Sequence, residues 1–185
     1  PNVSVEGKSF IIVAADPEKF ALANPDASNA LGPWNGKLSN SGETIRLKND
    51  LGEEVDQVDY ANEGFWALRK PGPEDLGHEG WIWDAKHDGQ GNTLELINWA
   101  DKNNNGQNWS ESSLIGGSPG KQNSIFNPSF LPLIKNVSHF PLVPKSNDSV
   151  LINLEIDNLE KFDNLQPKLF WRVDDKDEEF KSSQM

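Results

Sequence analysis

The stretch Leu38-Ser39-Asn40-Ser41-Gly42-Glu43-Thr44-Ile45-Arg46-Leu47-Lys48-Asn49-Asp50-Leu51-Gly52-Glu53-Glu54-Val55-Asp56-Gln57-Val58-Asp59-Tyr60 decides the class of fold. From Thr44 to Lys48 polar and apolar residues alternate without a break, the two-residue period of a half-buried strand, which sends Ile45 and Leu47 inward. Asn49-Asp50-Leu51-Gly52 has the residues of a tight turn, with Gly52 free to take positive φ, and a partner strand follows from Val55 to Tyr60. Val58 and Tyr60 share a face whereas Val55 has the opposite parity, so either a β-bulge lies between them or Val55 packs on the far side, and the bulge is favoured.

On the N-terminal side, Phe10-Ile11-Ile12-Val13-Ala14 is a short, continuous, β-branched run, which reads as a central strand covered on both faces. Asp16 can cap the free amides of a helix, Pro17 suits its first position and Asn24-Pro25 stops it, giving one helix of about two turns over 17–23. On the C-terminal side a strand runs from Thr93 to Ile97, entered through the Gly-rich 88–92 and left through the Asn-rich 101–108. Gly and Pro punctuate the chain, and no amphipathic helical stretch lasts beyond about three turns, so the fold class is all-β with one short helix.

A boundary lies between Gly116 and Pro132. The organisation read from it is a first domain over 1–124, a linker at 125–131 and a second β module over 132–185. Val150 to Ile156 and Lys168 to Val173 are strands of that module. Three strands at most do not close a sandwich of about 100 residues, so the second module is read as partial.

Of 185 residues 35% are hydrophobic, which is low, but seven Trp and nine Phe supply large buried areas and argue against disorder. A net charge of −12 works against nucleic acid and against anionic membrane as partners. The absence of cysteine removes disulfides, thiolate metal sites and a cysteine nucleophile without bearing on secretion. No apolar run reaches membrane-spanning length, so no membrane insertion is expected of this segment.

The motifs Leu38 to Leu47, Gly52, Val55-Asp56, Val58 and Tyr60, continued by Gly80-Trp81-Ile82-Trp83, His87-Asp88-Gly89, Leu94-Glu95-Leu96-Ile97, Gln107-Asn108-Trp109, Gly117-Ser118-Pro119-Gly120 and Asn123, resemble the lamin tail domain in its bacterial form. The resemblance covers about Ser9 to Asn123. It implies an Ig-like β-sandwich without catalytic residues, of the kind found in nuclear lamins and in large secreted or cell-surface bacterial proteins beside other modules or hydrolases. Members of that family begin with strands carrying an acidic, aromatic-flanked segment, glutamate-phenylalanine-isoleucine-glutamate, and nothing like it precedes Ser9. The first strands are therefore expected to be missing, which would expose the edges beside Phe10–Ala14 or leave them to pair with another chain. Pro132 to His139 and Pro144 are similar to the opening of Ig-like or fibronectin-type modules.

Trp81 and Trp83 lie two apart on a strand and would point the same way, as in a sugar-stacking platform, although core packing is the favoured role. With His78 and His87 they form the candidate ligand-binding set. His78, Glu79, His87 and Asp88 match no compact zinc spacing, and the reading expects no metal and no cofactor. Asp101 to Gly106 opens like a calcium loop, but the closing acid is absent, Ser112 standing at position twelve, and an ordinary Asn/Gly turn is favoured. The acidic run Asp174 to Glu179 reads as a solvated tail, and His139 supports nothing. Sequons stand at Asn2, Asn108, Asn136 and Asn147. No nucleophile elbow, zincin helix or phosphate loop occurs, so the expectation is not an enzyme but a structural, adhesive or protein-interaction module at the bacterial cell exterior, contacting other protein domains or cell-surface components. The alternatives are a carbohydrate- or calcium-dependent binding module, or an accessory domain of an extracellular hydrolase.

Overall fold

The computed structural model describes residues 3–27, 30–173 and 178–185. The chain is mostly β-strand with one short α-helix. It divides into two compact units, one made of Pro1–Pro71 with Trp81–Pro128, the other of Gly72–Gly80 with Ser129–Met185. Asn2 and Asp174 to Asp177, and with them one sequon and most of the acidic run, lie outside the described residues.

In the first unit β1 (Ile12–Val13) pairs in parallel with β2 (Ala30–Leu31). Between them α1 (Pro17–Ala23) starts where its chemistry requires: the Asp16 carboxylate accepts from the Lys19 amide at 3.0 Å, and Asn24 closes the last turn on the Phe20 carbonyl. The expectation that 10–14 is covered on both faces is corrected. Only Ala14 is buried, and Phe10, Ile11 and Val13 are exposed, because a two-residue strand with one two-residue partner has no layer on either side.

The hairpin pairs β3 (Gly42–Lys48) with β4 (Glu54–Ala61), setting Ile45 opposite Val58 and Glu43 opposite Tyr60. The register shifts between Leu47, opposite Asp56, and Lys48, opposite Glu54, so a bulge is present and Val55 itself is its extra residue, the pairing from Asp56 to Val58 being regular. In the turn Gly52 takes φ 81°, its amide donates to the Asn49 carbonyl at 3.0 Å, and Asn49 Oδ1 accepts from both Leu51 and Glu53. Ile45 and Leu47 do share a face, but they are 47% and 61% exposed rather than inward, since no continuous second layer covers that face.

A second hairpin joins β5 (Leu68–Asp75) to β6 (His78–Asp84), and a third pair is β7 (Leu94–Leu96) with β8 (Trp109–Glu111). Short 3-10 turns at Gly64–Trp66 and Gly106–Asn108 lie side by side, and the Trp66 and Trp109 rings sit 5.9 Å apart. In the second unit β9 (Leu133–Phe140) pairs antiparallel with β10 (Leu151–Asp157), with Asn136 at φ 51° in the irregular part of the ladder. Lys135 Nζ reaches Asp157 at 2.6 Å across this pair, and Leu133 is fully buried. Then β11 (Lys168–Trp171) pairs with β12 (Lys181–Gln184). The limit of three strands beyond residue 132 is thus corrected to four, because the polar run at 181–184 gave no apolar period by which to find a strand. Among the described residues the pairing stays at two-stranded ribbons.

Gly106 shows how tightly the two 3-10 turns meet. A methyl group there would come within 2.7 Å of the Phe65 carbonyl carbon and 2.9 Å of the Trp66 ring, whereas one at Gly52 meets nothing within 4 Å. Gly106→Ala is expected to lower stability by about 2–3 kcal/mol from overpacking, and Gly52→Ala by about 1 kcal/mol from its left-handed backbone alone. Urea unfolding followed by Trp fluorescence checks the order; equal losses would mean that the turns separate at no cost.

Candidate functional site

The fixed centre of the first unit is polar. Besides Ala14 and Ala85, its buried side chains include Glu95, Asn98, Asn108 and Ser112. Buried polar groups are tolerable only when hydrogen-bonded. Among the described residues none of the buried side-chain nitrogens and oxygens lacks a partner.

Asn108 does the work of a third strand. Its Oδ1 accepts from the Asn98 amide at 3.0 Å, and its Nδ2 donates to the Asn98 carbonyl at 2.8 Å and to the Lys102 carbonyl at 3.1 Å. The side-chain amide pairs with the main chain as a peptide would, and Asn108's own carbonyl accepts from the Ile97 amide at 2.8 Å. Asn98 in turn accepts from Ala100 and donates to the Pro128 carbonyl. The sequon at Asn108, with 0% exposure and its amide nitrogen committed, is no glycan acceptor. Asn136 and Asn147 are exposed.

Glu95, on β7, ties down the segment after β8. Its carboxylate accepts from the Ser118 hydroxyl at 2.6 Å and from the Ser124 amide and hydroxyl, both at 2.7 Å, while Asn123 Nδ2 donates to the Leu96 carbonyl at 2.9 Å. Burial pushes the Glu95 carboxyl up, but the hydrogen bonds from Ser118, Ser124 and the Ile125 backbone outweigh it and hold the group below the ordinary glutamate range. Gly117 takes φ 71°, and a Cβ there would collide with Thr93 Oγ1.

Beside this hub an open cavity of about 510 Å³ is lined by Ile45, Val58 and Tyr60 from the first hairpin, by Leu38 from the segment before it, and by His87, Leu94 and Trp109 from the other side. Sealed and empty, a void of that size would cost about 12 kcal/mol, comparable with a domain's whole stability of roughly 5–15 kcal/mol. It is borne because its mouth is open to solvent. The Tyr60 hydroxyl lies 2.7 Å from the Ser39 carbonyl and 3.1 Å from Glu43, and burial, reinforced by that carboxylate, raises its pKa.

Of the residues singled out from sequence, His87 lines this cavity, with Nε2 3.1 Å from the Ala61 carbonyl, and the adjacent Asp88 accepts from Asn62. Trp81 and Trp83, on β6, are 46% and 45% exposed, and the Arg69 guanidinium lies over the Trp81 ring at 4.3 Å. His78 falls in the second unit, at the start of β6. His139 is exposed on β9, with Nδ1 3.0 Å from the Pro141 carbonyl. Among the described residues no three His, Cys, Asp or Glu side chains gather as a metal site, and no helix is long and apolar enough to cross a membrane.

The calcium-like loop is spent on hydrogen bonds. Asn104 Oδ1 accepts from the Asp59 amide at 2.7 Å, its Nδ2 donates to Asp59 Oδ2, Asn103 Nδ2 donates to Asp56, and Asn105 Oδ1 caps the 106–108 turn through Gln107. The Trp109 indole donates to the Asn103 carbonyl. The loop clamps the outer edge of β4, and Asp59 is held below its usual range by hydrogen bonds from Thr44, then Asn104 and Gln57. Sequence reasoning missed Glu95, Asn98 and Asn108 as the hub. The available signal was Glu95, a charged residue inside the apolar run Leu94 to Ile97; Asn98 and Asn108 stand in no such run.

No protein-family model, curated protein or solved structure matches the chain.

Because the folded Glu95 pKa is depressed, its stabilisation is complete above the unfolded carboxylate value of about 4.3 and is lost as pH falls through the folded value. Glu95→Gln, which turns one acceptor oxygen into a donor, is expected to lower stability at pH 7 by about 1–3 kcal/mol and to flatten the acid limb of stability against pH. Urea midpoints from pH 3 to 7 read both effects, and an unchanged acid limb would place the acid sensitivity elsewhere. Millimolar calcium is expected to leave the melting temperature unmoved, since Asn104 and Asn105 would have to surrender bonds to the fold; a rise of several degrees would show a bound ion.

Proposed function

We propose that the chain is a non-catalytic interaction module of a secreted or cell-surface bacterial protein, built on a lamin-tail-type, Ig-like β-sandwich plan. The observation that carries this reading is a division of labour in the first unit. The polar side chains of the motifs, Glu95, Asn108, Ser118 and Asn123, are consumed in holding β7, β8 and the segment to Ser124 together. Apolar side chains of the first hairpin, Ile45 and Leu47 above all, stay half or more uncovered, and Ile45 lines an open cavity. A polar hub whose buried groups are all hydrogen-bonded within the protein suits a scaffold better than a catalytic centre, and an exposed apolar face is what a protein partner buries. The charge of −12 favours protein over nucleic acid or anionic lipid as that partner.

The half-exposed Trp81 and Trp83 support a second reading, sugar binding, with Arg69 already covering one face of Trp81. Biolayer interferometry of the purified chain against protein domains carried in the same polypeptide, and against a panel of cell-wall oligosaccharides, separates the two. The expected result is binding to a protein domain that Ile45→Asp weakens at least tenfold, which is about 1.4 kcal/mol, with no response to the oligosaccharides. Saturable oligosaccharide binding abolished by Trp81→Ala or Trp83→Ala would replace the first reading with the second.

A further inference from the structure

β7 is paired on one edge only. The Ser112 amide donates to the Thr93 carbonyl and the Ile97 amide to the Asn108 carbonyl, both at 2.8 Å, so residues 93, 95 and 97 turn their main chain toward β8. Leu94 and Leu96 therefore turn theirs to the opposite edge, where Asn123 Nδ2 takes the Leu96 carbonyl. Among the described residues the Leu94 amide and carbonyl and the Leu96 amide have no partner. β1 has the same asymmetry. The Ala14 amide donates to the Leu31 carbonyl at 2.7 Å, which points Ile12 and Ala14 at β2 and turns the main chain of Ile11 and Val13 away. Ile11, Val13 and Leu94 all line one open groove of about 370 Å³, which shares Thr93 and Leu94 with the cavity beside Ile45. Among the described residues no main-chain hydrogen bond joins β1 to β7.

The chemistry of the groove selects its occupant. Its walls offer the exposed apolar residues Phe10, Ile11 and Val13 beside the unpaired main chain of Leu94. A small apolar molecule, or the side chains of a helix, would strip water from the Leu94 amide and carbonyl without replacing their hydrogen bonds, because a helix has already spent its own main-chain groups. An extended segment supplies those bonds from its backbone and sends alternate side chains onto the apolar walls. Two charged residues line the groove. Glu95 is committed to Ser118 and Ser124, whereas the exposed Lys121 ammonium has no partner among the described residues. A cation left at the rim matches an acidic side chain. We propose that a partner protein binds here by strand addition: an extended segment pairs its backbone with the free edge of β7, lays aliphatic side chains against Phe10, Ile11 and Val13, and sets an Asp or Glu beside Lys121. This rests on the reading of the chain as an interaction module and gives that module a mode of binding separate from the open face at Ile45 and Leu47.

A phage-displayed library of peptides about ten residues long, enough to span the groove at about 3.3 Å per residue, is selected on the full chain and counter-selected on Val13→Asp. That change falls at a residue 64% exposed, so the melting temperature is expected to stay within about 2 °C of wild type. The expected survivors alternate aliphatic with polar residues and carry an acid. As synthetic peptides they bind Val13→Asp and Lys121→Glu about tenfold or more weakly, and bind Leu22→Asp, at an exposed leucine of α1, as well as they bind wild type. On the wild-type chain they slow amide exchange at Leu94 and Leu96 about tenfold or more, read by NMR, while the Ile97 amide, already bonded to Asn108, changes less. Peptides that bind without protecting Leu94, or that lose affinity only for Ile45→Asp, overturn strand addition and leave the interaction module standing. Survivors that carry no acid and ignore Lys121→Glu overturn it as well. A chain that elutes as a dimer in size-exclusion chromatography and as a monomer in Val13→Asp would give the groove to a second copy, against the proposal. A selection that enriches nothing overturns it too, and the binding experiment with whole domains then decides the module alone.

Discussion

One amide side chain determines how the first unit holds its shape. Asn108 is 0% exposed and makes all its hydrogen bonds inside the protein, two with the main chain of Asn98 and one with Lys102. A buried amide stripped of partners costs about 1–3 kcal/mol for each unmade bond, so the segment 98–102 has little freedom to lie elsewhere. Because that segment is placed, the Asn-rich loop reaches Asp56 and Asp59 and closes the edge of β4. Because β7 and β8 are held in register, Glu95 faces Ser118 and Ser124, and the chain is tied down to Asn127. Directional bonds accomplish here what a larger apolar core does in other domains, and they need side chains of one size and one polarity at each position.

This arrangement leaves apolar surface unspent. A unit that takes its order from polar bonds can tolerate a hairpin whose apolar face is half open, because the register of β3 and β4 is fixed by their turn, their bulge and the clamp on Asp59 rather than by burial of Ile45. The exposure of that face and the left-handed backbone of Leu76, at φ 50°, are local costs that the rest of the chain carries.

The legible parts of the fold were those set by neighbours along the chain. The cap at Asp16, the stop at Asn24, the turn at Asn49 to Gly52 and the extra residue at Val55 all follow from interactions within a few residues, so their sequence signals and their geometry coincide. The candidate site was legible only in part. His87 does line the cavity, but the parity of Trp81 and Trp83 said nothing of the Arg69 guanidinium that lies over one of them, nor of their half exposure. The loop at 101–106 has the composition of a cation site, and what removes its oxygens from that chemistry is the β4 edge, more than forty residues away in sequence.

By itself the amino-acid sequence determined that the chain is β-rich with a single short helix, where its main hairpin turns and bulges, and that it carries a net charge of −12. Those properties depend on local backbone preference and on summed charge, which need no knowledge of the fold. Tertiary structure alone decided that Asn108 is an internal strut and that the Glu95 carboxyl group is held by serines from beyond β8. Burial and hydrogen-bond partnership are properties of pairs distant in sequence, and a polar residue in an apolar run announces that it has a partner without saying which.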